Sequence, residues 1–66
     1  MDINNVFSYH APKGDQAERY TVIREKAKEF ANIIEDNCPD SREKSLALTN
    51  LQQSVMWSNA SIAINE

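Results

Sequence analysis

The sequence predicts an all-α fold: an antiparallel helical hairpin with a short N-terminal arm, assembling as a homo-oligomer. Three observations predict it. Apolar residues recur at spacings of three and four from Tyr20 onward. Pro39 interrupts that pattern after Asp36-Asn37-Cys38, and a second apolar run follows from Leu46, with no charged side chain before Glu66. The chain reads as one domain, with an arm over residues 1–14, helix one over about 15–38 and helix two over about 40–64.

In the arm, Ser8, Pro12 and Gly14 occur without a sustained period, which predicts an irregular or briefly helical segment anchored by Val6, Phe7 and Tyr9. Helix one begins at Asp15, an N-cap residue type, with Glu18 three positions on at capping-box spacing. Tyr20, Ile23, Ala27, Phe30, Ile34 and Cys38 then form one stripe. Pro39 ends the helix, and Asp40 or Ser41 caps the next one. In helix two, Leu46, Leu48, Leu51, Val55, Ile62 and Ala63 make one face. Ala47, Met56, Trp57 and Ala60 widen that face beyond what a single partner helix covers.

The width matters because a chain of 66 residues has little core of its own. A domain this small removes only roughly 60% of its unfolded surface from water. One cysteine and one histidine supply neither a disulfide nor a metal ligand set, so no cofactor is expected, and neighbouring copies are the remaining support. Met1-Asp2-Ile3-Asn4-Asn5 lacks the basic and apolar regions of a secretion signal, and a lone thiol fits a reducing compartment. The expectation is therefore a cytoplasmic protein. The uncharged run has nearly the length of a membrane span but carries Thr49, Asn50, Gln52, Gln53 and Asn59, too polar to insert. A net charge of −3 argues against DNA or RNA as a partner, so any anionic ligand needs a local basic cluster.

Catalysis has little support. His10 lies in the arm and Cys38 at the far turn, about a helix length apart, and no phosphate loop or metal spacing occurs. Cys38 reads as a small turn or core residue. His10 either packs and bonds locally or joins its neighbour Tyr9 in contacting a ligand, while Tyr9 and Tyr20 are packing aromatics or stacking platforms. Arg24 and Lys28 stand one turn apart beside the apolar stripe; they either pair with Glu18, Glu25 or Glu29 or form an anion site. Arg42 and Lys44 crowd the start of helix two, where the helix dipole disfavours a cation. Either Arg42 pairs with Asp36, Asp40 or Glu43, or its fork joins the free N–H groups to receive a phosphate, with Thr49 two turns on along the same face.

The ordered set "SYHAP" with Tyr9, "TVIREKAK" with Arg24, "SREKSLALTNLQQSVM" with Arg42, Thr49, Leu51, Gln52 and Met56, and the final "ASIA" covers most of the chain. It resembles the phage-encoded anti-CBASS and anti-Thoeris nucleotide sponges, which share a small helical-hairpin domain. The resemblance implies a non-enzymatic protein, commonly a hexamer of hairpins, that sequesters cyclic di- or trinucleotide messengers between protomers in the infected bacterial host. It implies that Tyr9 stacks on a base, that Arg24 pairs with a phosphate and that Arg42 and Thr49 line a second polar pocket. His10 and Lys28 complete the candidate ligand-binding set. The competing expectation is an oligomeric interaction module whose uncharged second helix docks on a host or phage protein through Met56 and Trp57. A helix-turn-helix DNA reader fits less well, because helix two lacks basic residues beyond its first turn.

Overall fold

The computed structural model describes residues 1–66 and contains three helices and no strand: α1 (Ile3–Val6), α2 (Gln16–Asn37) and α3 (Arg42–Asn65). α2 and α3 pack side by side as the expected hairpin, 42 × 25 × 13 Å overall. The arm contains one helical turn, α1, whose N-cap Asp2 accepts from the backbone N–H of Asn5 at 3.1 Å.

The turn closes through side chains that the sequence supplies locally. Ser41 is the N-cap of α3, its hydroxyl accepting from the Lys44 N–H at 3.1 Å. Cys38 leaves the helix with extended backbone and is exposed, so it extends no core stripe. Lys44 does not join Arg42 in an open basic cluster. It is buried, 8% exposed, and its ammonium donates to the Glu35 carbonyl and to Asp40 Oδ1, both at 3.1 Å, with Glu35 Oε1 at 3.2 Å. Its pKa is raised, chiefly by the bond to Asp40.

Two expectations for α2 are corrected. Asp15 occupies the N-cap, but its carboxylate makes no cap bond to the backbone, so the capping box is not formed. Arg19, one turn on, holds Asp15 Oδ1 through Nε at 3.1 Å, because a guanidinium is a stronger partner for a carboxylate than a peptide N–H. The contact stripe also rotates. Ile23, Ala27, Ala31 and Ile34 are half-buried against α3, while Phe30 stays 53% exposed. Two alanines on the contact line permit close approach of the helix axes, which a phenylalanine there would prop apart.

On α3, Leu48, Leu51, Val55, Ser58, Asn59 and Ile62 form the facing side. Trp57 (73% exposed) and Met56 (62%) point away from it. The chain has no fully buried apolar side chain; its two buried residues are Gln16 and Lys44. The hairpin alone therefore covers only part of each apolar side chain on the facing side of α3 and leaves Leu46, Met56 and Trp57 in water.

Candidate ligand-binding site

The candidate residues fall in three patches along the hairpin. At the arm end, Tyr9 and His10 line a cleft of about 350 Å³ together with Lys13, Gln16, Ile64 and Glu66. Tyr9 is 87% exposed. The His10 Nε2–H donates to the Asn5 carbonyl at 2.7 Å.

Midway along α2 stand Arg24 and Lys28. Arg24 lies early in the third turn, about 12 Å along the axis from the helix start. Its guanidinium touches only the Thr21 hydroxyl, at 3.4 Å from Nη2. Lys28 borders a shallow apolar groove of about 270 Å³ between the helices, over Ala27, Ala31, Leu48, Leu51 and Val55. At the turn end, Arg42 and Thr49 are exposed on α3. No single chain brings the three patches into one cavity.

Ion pairing sorts the seven Lys and Arg residues. Arg19 pairs with Asp15 and Glu66, Lys26 with Glu29 and Lys44 with Glu35 and Asp40, and Lys13 donates to the Glu66 backbone carbonyl at 2.6 Å. Arg24, Lys28 and Arg42 form no salt bridge. The pairing of Arg24 and Lys28 with Glu18, Glu25 or Glu29, and of Arg42 with Asp36, Asp40 or Glu43, is thus absent. Lys26 takes Glu29 instead, at 3.2 Å. Lys13 apart, which a backbone carbonyl holds, the cations without acidic partners are the three singled out from spacing as anion binders.

A polar clasp at the arm end went unforeseen. Glu66 bonds Arg19 through both guanidinium nitrogens, Nη1 to Oε2 at 2.9 Å and Nη2 to Oε1, and Gln16 Nε2 donates to Oε1 at 3.4 Å. Gln16 is 4% exposed, and its Oε1 accepts from the Lys13 N–H at 3.1 Å. Arg19, and to a lesser degree Gln16, hold the Glu66 carboxyl down at about 2, and the same contact raises the Arg19 pKa. The signal was the antiparallel geometry itself: the end of α3 returns to the start of α2, which sets the lone acid after the uncharged run opposite Arg19.

This carboxyl binds its proton less readily when clasped than when free, so its contribution is fully present above about 4.5 and is lost as pH falls towards 2. Hydrogen-exchange protection factors of amides 5–13 are expected to drop through that window while those in the middle of α2 hold. Arm protection that stays level down to pH 2 would show that the clasp does not secure the arm.

Cys38 at the turn and His10 in the arm lie at opposite ends of α2, so the one thiol and the one imidazole form no nucleophile–base pair within a protomer. No group of three or more His, Cys, Asp and Glu side chains is arranged to hold a metal ion, and no helix is long and apolar enough to cross a membrane. No curated protein and no solved structure matches the chain. The family profile described as "Acb2/Tad1, hairpin domain" matches residues 1–63, nearly the whole hairpin with its arm, and the chain belongs to that family, the anti-CBASS and anti-Thoeris nucleotide sponges.

Proposed function

We propose that the protein is a phage immune-evasion sponge that binds cyclic di- or trinucleotides without cleaving them and so blocks CBASS-type signalling in the cytoplasm of an infected bacterium. The observation that carries this reading is the set of three unpaired cations, Arg24, Lys28 and Arg42, beside an exposed Tyr9 on an otherwise acidic hairpin. The protomer assembles as a homohexamer that covers the apolar face of α3, and the ligand sites form at the seams. A two-fold seam presents Tyr9 and Arg24 twice, matching a ligand with two bases and two phosphates. Stacking on Tyr9 contributes about 1–3 kcal/mol per base, and the guanidinium fork of Arg24 grips phosphate oxygens. His10 and Lys28 border these contacts, and Arg42 with Thr49 forms the second pocket. The negative net charge keeps DNA and RNA away, and no cofactor takes part.

The test is incubation with a panel of cyclic di- and trinucleotides, followed by heat denaturation and chromatography of what is released. Intact ligand in the released fraction is the expected result. No binding to any member, or release of linear products, would overturn the reading.

The exposure of Trp57 and Met56 favours one competing reading, an interaction module whose α3 docks on a host or phage protein. Sizing separates the two, because the sponge requires an oligomer and the module is satisfied by a monomer or dimer.

A further inference from the structure

We propose that Glu66 is the positioning residue of the arm: by latching Lys13, Gln16 and Arg19 to the end of α3 it sets where Tyr9 stands, and thereby the affinity of the nucleotide site. The inference rests on the sponge reading for its ligand and on the arm contacts for its mechanism. Of the arm's expected apolar anchors only Val6 is half-buried; Phe7 and Tyr9 are exposed, as are Met1 and Ile3, so apolar burial holds the arm at one point before Tyr9 and none after it. Polar contacts hold it at two points, both on the last residues of the hairpin. Asn5 Nδ2 donates to the Ile64 carbonyl at 3.0 Å, and Lys13 Nζ donates to the Glu66 carbonyl at 2.6 Å.

Tyr9 lies midway between these anchors, and its own ring has almost no protein surface to fix it. The second anchor ends on a backbone carbonyl, and the Glu66 side chain is what fixes that carbonyl against the start of α2. The Glu66 carboxylate is bound by Arg19 and Gln16, and Gln16 in turn accepts from the Lys13 N–H. Gly14, at φ +57 between Lys13 and α2, supplies the left-handed turn that directs the chain back over the helix end, a conformation that favours glycine. Without the carboxylate this junction is a hinge, and the arm samples positions in which Tyr9 does not meet the ligand. Apparent affinity falls by the fraction of arms held competent.

The experiment compares wild type, Glu66→Ala and Glu66→Asp as intact chains, with sizing to confirm a shared assembly state. Trypsin cleavage after Lys13 and hydrogen exchange of amides 5–13 read the latch without any ligand. Titration with fluorescent cyclic di-GMP and cyclic di-AMP reads the coupling. Glu66→Ala is expected to speed cleavage after Lys13 and to weaken binding about tenfold, with a slower association rate, and Glu66→Asp is expected to restore part of both. Unchanged cleavage and exchange in Glu66→Ala would overturn the latch. A loosened arm with unchanged affinity would overturn the coupling. Failure of wild type to bind either probe, or any other cyclic nucleotide, removes the sponge reading and the coupling with it, and arm protection then decides the latch alone.

Discussion

If copies of the hairpin cover α3 as proposed, replacing Trp57 by glutamate is expected to dissolve the assembly and, with it, the fold. Trp57 is the only tryptophan, is 73% exposed on the isolated hairpin and sits in an α3 with no charge between Lys44 and Glu66. A large aromatic side chain buries about 150–250 Å² when covered. At about 25 cal/mol per Å², covering what the hairpin leaves open would stabilise each chain by about 3–5 kcal/mol. A core of this size supplies at most about 3–5 kcal/mol in total, and this protomer has no fully buried apolar side chain to set against chain entropy. A glutamate at position 57 removes the Trp57 burial and adds a carboxylate that an interface would have to desolvate. Size-exclusion with light scattering and a circular-dichroism melt check the outcome: a large particle with a concentration-dependent Tm for wild type, a small and poorly helical chain for the variant. Because Trp57 alone fluoresces as tryptophan, its wild-type emission is expected to be blue-shifted. A folded single chain with water-exposed emission would refute self-association as the support of the fold.

The elements that follow from local chemistry were legible in the sequence. Pro39 stops a helix because it cannot continue one, and Ser41 caps the next because its hydroxyl reaches the N–H three residues on. The uncharged run reads as a helix, and it is one, α3. Phe30 was misplaced for a different reason. The periodic stripe is wide enough to hold both Phe30 and Ala31, and only the closeness of α3 selects the alanines. Asp15 was assigned a cap that Arg19 takes away, a competition between two partners of one carboxylate that spacing alone does not rank. Lys44 read as a free cation because its acceptors, Glu35 and Asp40, converge on it only once the turn has closed. Arg24 and Lys28 show the converse. Acids were close enough in sequence to neutralise them, and the structure leaves both unpaired.

Under the proposed sponge function, Arg24→Ala is expected to weaken cyclic dinucleotide binding by about 10²–10⁴-fold while leaving the assembly intact. A hydrogen bond to a charged group contributes about 1.5–3 kcal/mol. If a two-fold seam presents Arg24 twice, one substitution removes both copies, about 3–6 kcal/mol, and each 1.4 kcal/mol is tenfold in affinity. Folding is spared because the guanidinium touches only the Thr21 hydroxyl and neutralises no acid. Arg24→Lys is expected to recover part of the loss, since the charge returns without the two-pronged geometry. Lys26→Ala serves as the control. Lys26 lies two residues away on the same helix but is tied to Glu29 on an exposed face, so its loss is expected to leave affinity unchanged. Calorimetric titration of the three variants at one salt concentration, with sizing alongside, reads all of these outcomes. An Arg24→Ala protein that binds as tightly as wild type would place the phosphates elsewhere, and an Arg24→Ala protein that falls apart would make Arg24 an interface residue rather than a ligand contact.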